Sequence, residues 1–131
     1  MTTRRTCLAT LLSSGAALSA PPQSNASKPI VLFVDMPVDP AREDEMVRSF
    51  HTVFKPTAEK HPGYIDVKIV KIEKALMGAA PPSVNYRFIL VYENEELRQK
   101  WVASAPHIKA WAKIESTFST QSYTVLLCQD V

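Results

Sequence analysis

From residue 30 onward the sequence changes its hydrophobic period in an order that few folds can accommodate. Ile30-Val31-Leu32-Phe33-Val34 is a nearly unbroken β-branched and aromatic run, as expected of a strand covered on both faces. Asp39-Pro40 then opens a helix, because Asp39 can cap free amides and Pro40 has its φ preset for the first helical position. Met46, Val47, Phe50, Val53 and Phe54 repeat at three- and four-residue steps opposite Arg42, Glu45, Arg48 and Lys55, so this helix lays one apolar stripe on a sheet. Pro56 removes an amide donor ahead of the natural stop at His61-Pro62-Gly63, which predicts a kink or an end near Phe54 to Thr57.

Tyr64 to Ile72 alternates Ile65, Val67 and Ile69 with Asp66 and Lys68, the period of a half-buried strand. Lys68, Lys71 and Lys74 read as a solvated strand edge that discourages sheet-to-sheet association. The stretch from Met77 to Ser83 is longer than a tight hairpin needs and either wanders or folds over a pocket mouth. Tyr86 to Tyr92 is a third strand, and Asn94 with Glu95 and Glu96 caps a second helix. Ser104-Ala105-Pro106 interrupts that helix, which resumes from His107 to Phe118, and Ser122 to Gln129 supplies a closing strand. Strand, helix, strand, strand, helix, strand is a ferredoxin-like α+β unit. One such sheet leaves a face bare, so the unit is expected to pair with a second copy as a dimeric α/β barrel and to hold a small apolar ligand between sheet and helices.

At 131 residues the chain suits one domain over residues 27–131 behind a leader over residues 1–26. That leader has no acidic side chain and runs from Arg4-Arg5 through Cys7-Leu8-Ala9-Thr10-Leu11-Leu12 to small residues, which reads as an export signal. Thr3-Arg4-Arg5-Thr6-Cys7-Leu8 is similar to the twin-arginine pattern, with Cys7 in place of its usual Phe, and a mitochondrial transit peptide is the alternative. Cleavage after Ser19 or after Ala26 fits best, and the expected location is periplasmic or extracellular. The apolar run is too short and too interrupted to span a bilayer.

Several partners and chemistries are disfavoured. Without Arg4 and Arg5 the basic and acidic counts are equal at 13, and with no basic stripe nucleic acid is not an expected partner. Beyond the leader only Gly63 and Gly78 remain, too few for a phosphate loop or a dinucleotide fingerprint, and no nucleophile elbow occurs. His51, His61 and His107 lack the spacing of a metal site. Cys128 would be the only mature cysteine, in a strand pattern where a buried inert thiol is expected. Glu43-Asp44-Glu45 and Glu95-Glu96 read as solvated helix starts.

Over roughly Ile30 to Cys128 the chain resembles the antibiotic biosynthesis monooxygenase family of dimeric α+β barrels. The resemblance rests on Asp39-Pro40, on His61-Pro62-Gly63-Tyr64 and on Trp101-Val102-Ala103-Ser104-Ala105-Pro106-His107. It implies oxidation of a small electron-rich aromatic such as a quinol by dioxygen, without metal, flavin or other cofactor. The haem-degrading branch carries an Asn on strand one and a Trp and a His in the second helical region. Trp101 matches, but Phe33 stands about where the Asn would be and Trp111 about where the His would be, so haem breakdown is not what the likeness implies.

A deprotonated aromatic can itself reduce dioxygen, so the protein need supply only an apolar enclosure, a base and hydrogen bonds to an oxyanion. On this resemblance His107 is the candidate base and Trp101 an enclosing wall with an indole donor. Tyr86 or Tyr123 would orient a phenolic oxygen, and His51 would contact substrate if the first helix turns it toward the sheet. The alternative is a ligand-binding or interaction protein that keeps the barrel without the chemistry.

Overall fold

The computed structural model describes residues 28–131; the expected leader and export signal lie outside the described residues. Strands β1 (Ile30–Met36), β2 (Tyr64–Lys71), β3 (Tyr86–Tyr92) and β4 (Thr124–Gln129) form one antiparallel sheet in the order β2-β3-β1-β4. The first helical layer runs through a 3₁₀ turn (Pro40–Arg42), α1 (Glu43–Ser49), a π-helical turn (Phe50–Phe54) and α2 (Lys55–Glu59). The second consists of α3 (Glu95–Ala103) and α4 (Ala105–Glu115). This is the ferredoxin-like α+β order read from the sequence.

The first helix keeps the capping chemistry of its sequence, since Asp39 accepts a hydrogen bond from the Ala41 amide at 2.9 Å with Pro40 first in the turn. The break expected near Phe54 to Thr57 is instead a π turn just ahead of Pro56, and the helix continues to Glu59. The amide of Lys55 reaches back to the Phe50 carbonyl, a five-residue step. Such widening accommodates a ring that would otherwise clash with the carbonyl four residues earlier, so the chain bends without losing the helix. Both Phe50 and Phe54 stay buried on the sheet side, stacked at 6.1 Å between centroids.

The other helical stretch divides at Ser104, as its sequence suggests. Ser104 is extended (φ −76°, ψ 148°) and serves both pieces: its hydroxyl donates to the Trp101 carbonyl at 2.6 Å and accepts from the His107 amide at 3.4 Å. Asn94 caps α3 by accepting from the Leu97 amide at 2.9 Å. Helix α4 ends at Glu115, short of the expected Phe118, which leaves the helix to form a bridge with Val38. Strand β4 likewise starts at Thr124, leaving Tyr123 outside the ladder.

All helices lie on one face of the sheet. Leu32, Val34 and Met36 of β1, Val67 of β2, and Tyr86, Phe88, Leu90 and Tyr92 of β3 turn toward them and are buried. The opposite face presents Val31, Phe33 and Asp35 beside Arg87, Ile89 and Val91, with Leu126 and Cys128 from β4, and no element covers it among the described residues. Arg87 spans the face, donating through Nε to Asp35 at 2.7 Å with its guanidinium 5.5 Å from the Phe33 ring centroid. Hence β1, expected to be covered on both faces, is covered on one among the described residues. Asp66 and Lys68 make the β2 margin of the bare face polar. The loop through Leu76 and Met77 is fully solvated and does not close over the sheet.

Gly63 holds the return from α2 to β2 at φ +95°, where a Cβ would stand 2.8 Å from Leu97 Cβ and 3.1 Å from the Tyr92 ring. Both the backbone conformation and the contact penalise a side chain. Gly63→Ala is expected to lower unfolding free energy by about 2 kcal/mol in urea denaturation; an unchanged midpoint would contradict this placement.

Candidate functional site

A cavity of about 200 Å³ lies between the helices and the covered face of the sheet. Its floor is Leu32 and Val34 from β1, Phe88 and Leu90 from β3, and Val125 from β4. Helices supply the remaining walls: Phe54 from the π turn, Arg98 and Val102 from α3, and His107 and Trp111 from α4, with Tyr123 beside β4. Val125 stays 52% exposed, so the helices leave the β4 edge open. The lining is almost wholly apolar, with three polar groups, which is the usual make-up of a small-molecule site.

His107 is aimed by the Ser104 break. The turn makes His107 the third residue of α4, and Trp111 follows four residues later on the same helical face, its ring parallel to the imidazole at 6.4 Å. Phe54 and Trp101 meet the imidazole edge-on at 5.8 Å and 4.9 Å. Nδ1 of His107 is buried and has no hydrogen-bond partner. Burial depresses its pKa to about 4, helped by the charge of Arg98 and opposed by the Val102 backbone. The ring is therefore neutral at neutral pH.

Tyr123 contributes a second polar group in a short relay. Its hydroxyl accepts from Trp111 Nε1 at 3.3 Å and donates to Glu115 Oε2 at 2.6 Å. Burial and the Glu115 hydrogen bond raise its pKa, so it remains protonated. With Nε1 satisfied, Trp111 offers the cavity mainly its ring. Arg98, the third polar group, is gripped by Glu95 through Nε and NH2 at 2.6 and 2.7 Å.

The residues chosen from the sequence divide three ways. His107 and Tyr123 line the cavity. Trp101 does not: it is fully buried and faces a separate cleft with Thr57, Lys60, His61 and Pro106, so it supports the His107 ring from another side instead of enclosing the cavity. Its Nε1 is buried and unpartnered, as is Nδ1 of the neighbouring His61. Tyr86 is buried but spent elsewhere, donating to Glu43 Oε1 at 2.8 Å where Lys71 also pairs with Glu43. Glu43 is thus tied down, its carboxyl pKa lowered first by Lys71 and then by Tyr86, and is not simply a solvated helix start. His51 is exposed and outside the cavity, because the π turn buries its neighbour Phe50 and leaves His51 outward.

Phe33 points to the bare face, since Leu32 and Val34 are the β1 residues that reach the cavity. Trp111, which the sequence comparison treated as a departure, is a central wall. Phe54, Phe88 and Arg98 were not singled out; the four-residue spacings Arg98–Val102 and His107–Trp111 were the available signal. Among the described residues there is no group of three or more His, Cys, Asp or Glu side chains placed to hold a metal ion, and no helix long and apolar enough to cross a membrane.

Fold and cavity together define a ferredoxin-like α+β protein with an apolar chamber under its helices. No protein-family model and no curated protein matches the sequence. Solved structures do share the fold. A "putative antibiotic biosynthesis monooxygenase" from Caulobacter crescentus superposes with a TM-score of 0.66 at 13% identity, covering 80% of this chain and 92% of that one. A dimeric ferredoxin-like protein of unknown function from Jannaschia sp. CCS1 gives 0.66 at 10% identity over 78% and 99%. The hydroxynitrile lyase of Passiflora edulis gives 0.66 at 7% identity over 80% and 95%. The chain therefore shares its ferredoxin-like α+β fold with proteins of several different names.

The free unfolded chain holds the His107 proton up to about pH 6.5, whereas the folded protein releases it near pH 4. Between those values the unfolded state binds more protons, so stability is expected to fall as pH drops from about 6.5 to about 4, by about 1 kcal/mol once the partial solvation of the ring is discounted. Imidazole NMR should show His107 neutral down to about pH 4, and His107→Gln should flatten the stability slope in that window; an ordinary titration near 6.5 would refute the buried placement.

Proposed function

We propose that the protein is a cofactor-independent monooxygenase of a small electron-rich aromatic such as a quinol. The observation that carries the reading is a neutral, half-buried His107 whose Nδ1 has no partner, in the wall of a largely apolar chamber. A planar ring fits between Phe54, Phe88 and Trp111, and its hydroxyl falls to His107 or Tyr123. His107 accepts the hydroxyl proton. A phenolate formed beside the ring favours the imidazolium and offsets the depressed basicity.

The electron-rich anion then reduces dioxygen within the enclosure. One oxygen atom is inserted at a ring carbon and the other leaves as water, so that hydroquinone and dioxygen give hydroxyquinone and water. The substrate supplies all the electrons. The monooxygenase-type neighbours support the reading at the level of fold alone. Oxygen uptake with a quinol panel, with chelator present, is expected to exceed the uncatalysed rate and to fall about 100-fold or more in His107→Ala. A flat trace from folded protein, or an unaffected variant, would reject it.

The low basicity of His107 also favours a second reading, a binding protein that holds the aromatic unchanged. Such a protein would show a ligand-dependent rise in melting temperature without product.

We also propose that two copies pair through the bare sheet face, where Val31, Phe33, Ile89, Val91 and Leu126 form an apolar surface around the Arg87–Asp35 pair. A relative of the same fold is itself dimeric. Analytical ultracentrifugation should give a dimer that Phe33→Lys weakens; a wild-type monomer at micromolar concentration would contradict it.

A further inference from the structure

Arg98 is the one cationic side chain in the cavity wall, with only 16% of its side chain exposed. Glu95 engages Nε and NH2 from one side, and the remaining edge, with NH1, has no hydrogen-bond partner among the described residues. A guanidinium gripped in this way presents its free N–H groups in a fixed direction at little further entropic cost. An apolar chamber has no use for a half-buried arginine beyond packing of its stem, and the Glu95 pairing needs only part of its fork.

We propose that Arg98 is the anion-reading residue of the cavity and that the ligand is a phenol bound as its phenolate, with the oxygen on the free edge of Arg98 and the ring among Phe54, Phe88 and Trp111. This deepens the proposed function and rests on that reading of the cavity. The proton leaves the phenolic oxygen to His107 or to solvent, and no other bond changes. Four titratable groups face this corner: Glu95 from α3, His107 from α4, Tyr123 beside β4, and Glu115 behind Tyr123. His61, from the turn before β2, reaches His107 only through its charge. Glu95 and Glu115 are each already hydrogen-bonded, so Arg98 is the group left to meet a negative oxygen.

4-Nitrophenol serves as the probe, because its phenolate absorbs in the visible and its ionisation is read directly with no dioxygen chemistry. Bound to excess full-length protein it is expected to ionise about tenfold more readily than in free solution. Arg98→Gln should abolish that shift and weaken phenolate binding by about tenfold or more. Arg98→Lys, which keeps the charge but loses the fork, should retain part of it. Melting curves report folding, and Glu95, being partly solvated, tolerates the loss of its partner. Failure of the wild type to bind the probe, ionisation of the bound probe at its free-solution value, or an undiminished shift in folded Arg98→Gln would each overturn the inference. A clear shift with no quinol turnover would keep the inference and reject the oxygenase reading. Turnover with unchanged kcat/KM in Arg98→Gln would do the reverse.

Discussion

The Phe54 ring is the contact on which the site depends. It lies 5.3 Å from Phe88 on the sheet, 6.1 Å from Phe50 on its own helix, and 5.8 to 6.0 Å from Trp101, His107 and Trp111 on the second helical layer. One side chain thus joins the sheet and the second helical layer edge-to-face while stacking on Phe50 of its own helix, arrangements in which aromatic pairs attract beyond their buried area. The π turn keeps it there. By absorbing Pro56 without ending the helix, the turn keeps Phe50 and Phe54 both buried toward the sheet, with Phe54 in the cavity wall.

From that hub follows the electrostatic character of His107. Rings surround it, and none supplies a hydrogen-bond acceptor to its buried Nδ1. A histidine held this way is neutral, and its proton affinity is set by whatever enters the cavity. Arg98 and the Trp111–Tyr123–Glu115 relay flank the same space, so the chamber combines an apolar interior with a few polar groups of fixed direction. The fold does not dictate this combination, since proteins of different names share the same backbone.

The order of elements was legible because its signals are local: Asp39 and Asn94 cap their helices, Ser104-Ala105-Pro106 divides the second, and the alternation of β2 needs no tertiary knowledge. The cavity lining was legible only in part: of the residues named from the sequence, His107 and Tyr123 line it, whereas Trp101, expected as an enclosing wall, faces the neighbouring cleft. Tyr86 could not be judged without Glu43, 43 residues away, and His51 could not be oriented without the π turn. Arg98 was invisible because its value comes from a half-filled hydrogen-bonding fork beside a cavity. Strand β1 carries apolar residues on both faces, and its sequence alone does not tell which of the two the helices cover.

Whether the chamber beside His107 is the ligand site is tested most directly by NMR of isotopically labelled protein titrated with 2-naphthol. Shifts are expected to concentrate at the His107 ring, the Trp111 indole and Tyr123, with His51 and Tyr86 unmoved. Shifts centred on His61 and Trp101, or none at a saturating concentration, would contradict it.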